Sequence, residues 1–352
     1  MTRLRVLFTY MLNKIPSNNF HIIFHRHSKS SIGIVIGLHR VIAAKGNRSP
    51  YNDYIEMSAA KLEELIIKLK KLKAKFVSLN ELKDCLEAKK KISHSLVHLS
   101  FDDGYYDNYS VAFEILKKHN ISFSVFITSG FISKELPFVW WYIIEGLVKN
   151  ERPVRFERYD FSISQHTYAN YSKAEIFQSL HTFLLNNVDD DKNYFEAILL
   201  DKISESEFSR LSKMLTWENV NEMIASGFCE IGVHTKTHPR FASLTPAQQI
   251  EEILCCKNEI RSRTNVDAKY FAYPYGSKDD IGNIDTMNEV MTKCDIELAF
   301  TTVPEELNSK SNKIFLPRIM LNENATTYTL KSRLNGSYQR NLLLKEQALW
   351  RI

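Results

Sequence analysis

Two adjacent carboxylates, Asp102 and Asp103, close the run Val97-His98-Leu99-Ser100-Phe101 and are followed by Gly104. A strand alternates its side chains between faces, so neighbouring carboxylates act at one spot only where the strand ends. There, one suits a metal ion and the other suits a proton. Asp-Asp-Gly is also ordinary turn chemistry. The stretch that separates these readings lies downstream, at Gly232-Val233-His234-Thr235-Lys236-Thr237-His238-Pro239. A spacing of four puts both imidazoles on one face of a helical turn, a common arrangement for metal ligands. They directly follow a strand-like run, where an α/β active site opens. Asp103, His234 and His238 make a two-His, one-carboxylate set. It suits Zn²⁺ with a position left for water, and also Fe²⁺ or Co²⁺.

The elements that must position these groups alternate. Ile32 to Leu38 reads as a buried strand ending in His39-Arg40-Val41. Ser58 is placed as an N-cap, with Leu62, Leu65, Ile66, Leu69 and Leu72 following at helical spacing. A short strand, Phe76 to Leu79, precedes a helix over 81–90 capped by Asn80. After the Asp-Asp strand come a helix over 108–119 and a strand over 122–127. Downstream, Thr216 caps a helix over 217–226, and strand 228–233 leads into His234. Helix 246–263, strand 269–273, the turn Pro274-Tyr275-Gly276, a helix near 284–293 and strands 297–302 and 314–320 continue the pattern. Strands alternating with helices predict a parallel α/β sheet or barrel. Residues 142–215 interrupt it with helical patterns and a hairpin within 151–170, and read as an insertion. The barrel domain thus spans 32–320, between an N-terminal extension, 1–31, and a C-terminal tail, 321–352.

The composition is that of an ordinary globular protein: 352 residues, 44% hydrophobic and 25% charged. A net charge of +5, with no Lys/Arg run interleaved with aromatics, argues against a nucleic-acid partner. The lysines of 68–75 interrupt an apolar helical pattern and read as a solvated face. Five cysteines, an odd count without CxxC, read as reduced thiols in a cytosolic protein. No apolar stretch reaches the roughly 18 residues of a membrane span. Neither an h-region nor a small-residue cleavage site is evident near Met1. The expectation is a cytoplasmic location, with peripheral membrane contact open to the basic, aromatic segment 1–30. Its His21, His25 and His27 read as surface residues.

With these motifs in hand, the chain resembles the polysaccharide deacetylases, the family 4 carbohydrate esterases. Ser100-Phe101-Asp102-Asp103-Gly104 is similar to their first motif, His234-Thr235-Lys236-Thr237-His238-Pro239 to their second and Phe271-Ala272-Tyr273-Pro274-Tyr275-Gly276 to their third. The resemblance covers about 32–320 apart from the insertion. It implies a distorted (β/α)7 barrel carrying a mostly helical insertion, and metal-dependent removal of acetyl groups from N-acetyl sugars. By position, it makes Asp102 the catalytic base, Asp103, His234 and His238 the metal ligands, and the backbone N–H of Tyr275, after Pro274, an oxyanion donor.

Two departures from the family pattern matter. Ala272 occupies the place of the arginine that orients the base, and Ile314-Phe315-Leu316-Pro317-Arg318-Ile319 lacks the histidine that protonates the leaving amine. The opening strand, Ile34-Val35-Ile36-Gly37-Leu38-His39-Arg40-Val41, resembles that of a permuted branch that includes exopolysaccharide deacetylases. In that branch the acid histidine comes from the N-terminal strand, which makes His39 the general acid. Arg318 is the candidate to brace Asp102 in place of the missing arginine. His98 alternates in phase with Asp102 and reads as a hydrogen-bonded core histidine. Trp140, in Trp140-Trp141-Tyr142, is placed near the barrel mouth, either against substrate or in the core.

The expected activity is N-deacetylation of a nucleotide-, lipid- or oligosaccharide-linked sugar in surface polysaccharide or glycolipid synthesis. Two alternatives remain at this level. One is a deacylase of a non-sugar amide or an O-acetyl ester. The other is a non-catalytic carbohydrate-binding protein on a retired deacetylase fold.

Overall fold

The computed structural model describes residues 31–44, 48–88, 95–134 and 137–325, together with 330 and 334. The basic segment 1–30, with its three histidines, and most of the tail lie outside the described residues. Among the described residues, thirteen strands occur in chain order: β1 Ser31–Leu38, β2 Arg40–Ile42, β3 Glu56–Ser58, β4 Lys75–Phe76, β5 Leu96–Asp103, β6 Phe123–Ile127, β7 Val154–Phe156, β8 Phe161–Ile163, β9 Cys229–Val233, β10 Tyr270–Ala272, β11 Leu298–Phe300, β12 Leu307–Asn308 and β13 Ile319–Met320.

Strand β5 is buried at every residue, as expected of a parallel strand covered on both faces. It pairs in parallel with β1 and with β6, and β6 continues to β9, β10 and β11. The far end bends back. Phe300 bridges Leu316 in parallel, and β13 pairs in parallel with β1 at Ile36 and Gly37. The result is a curled α/β sheet, a distorted half-barrel whose two ends are linked by 316–320, as the motif pattern implied. Strand β12, antiparallel on the start of β1, makes the sheet mixed and was not expected.

The parallel strands run the same way, so their C-terminal ends share one rim. On β5, His98, Ser100 and Asp102 alternate with Val97, Leu99 and Phe101. The second set joins the large core beneath the helices. A smaller core gathers Val35, Phe126, Ala272, Phe300 and Leu316, plugged by Leu79, Leu82 and Leu86. His98 is buried between the Val77 carbonyl and the Ser124 hydroxyl, each at 2.8 Å, and burial pushes its pKa down to about 4. It is a core histidine.

Helix starts follow side-chain chemistry. Ser58 Oγ accepts from Lys61 N at 3.2 Å and opens Ala59–Lys71. Thr216 and Asn219 form the capping box of Trp217–Ala225. Ser78, not Asn80, caps Leu79–Glu87. Its hydroxyl and the Glu81 side chain bond reciprocally to the backbone, while Asn80 Nδ2 donates to Glu230 at 2.7 Å. The expected helix after β5 begins as a π-helix, Asn108–Phe113, before Glu114–Lys118.

Between Trp140 and Leu211 lie five helices and the β7–β8 hairpin, whose strands pair only with each other. Two ties join this region to the rim. Arg40 donates to Tyr142 Oη at 3.0 Å and to the Leu211 carbonyl at 2.9 Å, gripping both ends of it. Glu145 accepts from Asn52 Nδ2 at 2.7 Å and from the Ser49 hydroxyl. Among the described residues, no helix is long and apolar enough to cross a membrane.

Candidate active site

The rim is built from backbone that most residues avoid. Asp103, Thr235, His238 and Tyr275 all have positive φ, at 73°, 68°, 61° and 58°. Such conformations cost non-glycine residues energy, persist only where the surroundings enforce them and cluster at functional sites. At Asp103 the left-handed turn ends the strand alternation. It lets two neighbouring carboxylates serve one place while having different partners.

Asp102 meets a cation. Arg318 Nη1 and Nη2 donate to Oδ1 and Oδ2, both at 2.7 Å, in a fully buried bidentate pair. The guanidinium is fixed in turn, donating to the Thr301 carbonyl at 3.1 Å and to Ser100 Oγ at 3.3 Å. Beside it, Gly37 makes room for Met320, whose Sδ would lie 2.3 Å from a Cβ at that position. Burial alone would raise the Asp102 pKa. The charge and hydrogen bonds of Arg318, with smaller contributions from His234 and His39, together outweigh it and hold the carboxyl below its ordinary range.

Asp103 has no such partner. Its Oδ1 lies 3.4 Å from His234 Nε2 and 3.3 Å from His238 Nε2, and is buried without a hydrogen bond. One potential ligand atom from each residue falls within 4.8 Å of the others. His234 Nδ1 is 2.7 Å from the Ala272 carbonyl, which can only accept, so the proton sits on Nδ1. Its Nε2 lone pair therefore faces an orphaned carboxylate oxygen. Acceptors converging in a dry site call for a cation, and an imidazole oriented by a carbonyl is the usual setting of a metal ligand. The three residues fit a divalent metal ion.

The imidazoles do not converge as expected. Residues 234–238 form a loop, not a helical turn. The positive φ values at Thr235 and His238 fold it, Thr235 Oγ1 accepts from His238 N at 2.9 Å, and Glu252 binds the amides of Lys236 and Thr237. Burial keeps the His238 pKa low despite Asp103, so the ring is neutral.

Tyr275, after the buried Pro274, stands at a tight turn held by Thr302, whose Oγ1 donates to the Tyr275 carbonyl at 2.8 Å. Its ring packs on His238 at 4.9 Å, and its N–H makes no hydrogen bond among the described residues. His39 follows β1 at the rim. Its side chain makes no hydrogen bond among the described residues, and its positive form would help hold both Asp102 and Asp103 ionised. Trp140 is buried, 5.5 Å from Trp141, which packs on His238 at 5.4 Å.

Three residues at this rim escaped the motif reading. Asp107 Oδ2 accepts from Arg40 Nε at 2.8 Å and its Oδ1 from Val41 N at 3.0 Å, while Asn108 Nδ2 donates to the His39 carbonyl at 2.7 Å. Together they clamp the backbone on both sides of His39. Asp107 stands at the N-cap position of the π-helix, but its carboxylate makes no cap bond. Burial disfavours the Arg40 charge, and Asp107 and Tyr142 together more than restore it.

Comparison with known proteins agrees with this geometry. The family model described as polysaccharide deacetylase matches residues 89–298, and the chain belongs to that family. Carbohydrate deacetylation is therefore its class of chemistry. No curated protein matches the chain. Among solved structures it is similar to the Streptococcus pyogenes deacetylase PplD in complex with acetate, at 16% identity over 87% of this chain and 99% of that one, with a TM-score of 0.57. IcaB from Ammonifex degensii is 19% identical over 89% and 100%, with a TM-score of 0.55. A de-N-acetylase from Aggregatibacter actinomycetemcomitans is 16% identical over 85% and 98%, also at 0.55. These likenesses fix the fold.

Proposed function

We propose that the protein is a metal-dependent N-deacetylase of an acetylated sugar, acting in surface polysaccharide or glycolipid synthesis. The observation that carries this reading is the division between adjacent carboxylates: Asp102 is tied to Arg318, while Asp103 is faced by two imidazoles and left without a hydrogen bond. Asp103, His234 and His238 would hold the ion, with Zn²⁺ suited to that donor set and Fe²⁺ or Co²⁺ compatible with it. When bound, it would supply polarisation of the acetyl carbonyl and a more acidic water.

The remaining work falls to this chain's own groups. Asp102, kept ionised and oriented by Arg318, takes the proton of the attacking water. The free N–H of Tyr275 donates to the carbonyl oxygen as it gains charge. His39 gives a proton to the departing nitrogen, which leaves poorly as an anion. Burial of the rim strengthens each of these interactions. Five free cysteines suit a reducing compartment, which supports a cytoplasmic location.

The test is acetate release from a panel of N-acetylated sugars, sugar nucleotides, simple amides and O-acetyl esters, before and after chelation. Release from the N-acetyl sugars that chelation abolishes and Zn²⁺ restores is the expected result. Release confined to non-sugar amides or O-acetyl esters, or sugar binding without any acetate, would overturn the reading.

A further inference from the structure

The two imidazoles that face Asp103 are not oriented in the same way. His234 is set by the Ala272 carbonyl at its Nδ1. His238 Nδ1 is buried and has no hydrogen-bond partner among the described residues. Its ring packs against Phe131 at 5.8 Å, Trp141 at 5.4 Å and Tyr275 at 4.9 Å. With no hydrogen bond to fix the ring, the direction of Nε2 depends on that packing and on the backbone that carries it. The backbone at His238 is left-handed, with φ at 61°. Such a conformation persists only where its surroundings over-determine it.

Those surroundings come from two sides. On the barrel side, Glu252 in helix Pro246–Thr264 accepts from Thr237 N and from Thr237 Oγ1, both at 2.8 Å, and Thr235 Oγ1 accepts from His238 N at 2.9 Å. The other side belongs to the region between Trp140 and Leu211. Lys192 opens helix Lys192–Leu200, and its ammonium donates to the Thr237 carbonyl. Asp189, in the turn before that helix, accepts from Arg240 N at 3.0 Å through Oδ2. The peptide group joining Thr237 to His238 is thus held at both poles, its N–H by Thr235 and its carbonyl by Lys192. Asp189 fixes the chain again two residues on. Turning φ at His238 towards its ordinary range would swing either that peptide group or the chain after it, and both are tied. Lys192 is itself poorly hydrated. It stands 5.9 Å from the Phe138 ring, and burial lowers its pKa to about 8 despite the charges of Glu252, Glu196 and Asp189. A cation in such a place keeps to its acceptor, because letting go would strand the charge.

We propose that Lys192 and Asp189 are positioning residues of the metal site. From outside the sheet, they hold residues 237–240 so that His238 Nε2 faces Asp103 before any ion arrives. This rests on the reading of Asp103, His234 and His238 as metal ligands. It gives the region between Trp140 and Leu211 a part in metal affinity although neither positioning residue touches the ion.

The test is Zn²⁺ affinity of the full chain, by competition with a chromogenic chelator at neutral pH, set against the thermal midpoint of each metal-free protein. Lys192→Met keeps the stem and removes the donor, and Asp189→Ala removes the acceptor. Each should weaken Zn²⁺ binding by roughly the 10- to 100-fold typical of residues that orient a ligand. Asp189→Asn, which keeps an acceptor for Arg240 N, should stay near the parent. Arg152→Met is the control. It removes the bonds to the Lys202 carbonyl and to Glu207, made wholly within the same region, and should leave Zn²⁺ affinity unchanged. If Lys192→Met does not fold, Asp189→Ala decides alone. Unchanged affinity in the folded variants, or an equal loss in Arg152→Met, would overturn the positioning role while sparing the metal site. A parent protein that binds none of Zn²⁺, Co²⁺ and Fe²⁺ would sink the metal-site reading instead, and the positioning role with it.

Discussion

Arg318→Met tests the centre of the site. Both members of the Arg318–Asp102 pair are fully buried, with two hydrogen bonds of 2.7 Å between them. Breaking a buried pair from one side leaves a lone charge and costs about 3–5 kcal/mol. Almost no discount for solvent applies, because Arg318 is fully buried and Asp102 is only 2% exposed. The carboxylate avoids part of that cost by taking a proton, so the Asp102 pKa moves from below its ordinary range to above it. The sign of the pH dependence follows. In the parent, the depressed pKa contributes stability above the unfolded value of about 3.9, and this is lost as acid protonates the group. In the variant the raised pKa makes stability fall as pH rises through the carboxylate range. The stability gap, read from urea midpoints of the chelated proteins, should therefore be widest at neutral pH and narrow towards pH 4. In parallel the acidic limb of kcat/KM, which requires ionised Asp102, should move to higher pH. Asp102→Asn in the Arg318→Met background removes the stranded charge and should recover more than 1 kcal/mol. An unmoved acidic limb together with a loss below about 1 kcal/mol would refute the argument that Arg318 holds Asp102 ionised.

Other outcomes follow from the same geometry. Asp102→Asn should lower turnover by about 10²–10⁴-fold with metal content unchanged, whereas equal loss of metal would make Asp102 a ligand. His234→Ala should lose most bound metal, measured by elemental analysis after dialysis against trace Zn²⁺; full occupancy would exclude it from the set. His39→Ala should keep its metal and lose far more activity on an amide than on an activated ester, whose leaving group needs no proton; equal losses would end its assignment as the acid. Asp107→Ala, which removes the Arg40 and Val41 bonds, should cost roughly 1.5–3 kcal/mol in urea unfolding, the worth of hydrogen bonds to a charged group; a change near zero would show that the clamp beside His39 carries no load.

The strand order and the location of the acids and imidazoles were legible because they depend on local signals. Apolar runs such as Val97 to Phe101 mark buried strands, and Asp102, Asp103, His234 and His238 stand where those runs stop. The paths between motifs were less legible. Spacing of four suggested a helical turn for His234 and His238, but a loop with two positive-φ residues brings them together. Side-chain spacing carries no information about φ when the residues are threonine and histidine. Asn80 looked like a cap because it precedes a helical pattern. Ser78 wins because only it has Glu81 three residues on to close the reciprocal pair. The edge strand β12 is two residues long and has no periodicity to read.

The clamp around His39 shows why a site can be recognised before its supports are. Asp107 and Arg40 are 67 residues apart in sequence and meet only because β1 and β5 are neighbours in the sheet. The same guanidinium reaches Glu56 and, in the region between Trp140 and Leu211, Tyr142 and the Leu211 carbonyl. Each contact needs the complete fold, so none leaves a motif behind. Once the curl forms, though, these contacts limit how the rim can move. Shifting the region between Trp140 and Leu211 would pull on Arg40, whose neighbour in the chain is His39. It would also disturb Trp140 and Trp141, which pack towards His238. The region between Trp140 and Leu211 is therefore joined to the rim at the two histidines proposed to serve different halves of the reaction, one giving a proton and one holding the metal. That coupling follows from hydrogen bonds and ring contacts, and it requires no residue between Trp140 and Leu211 to enter the chemistry itself.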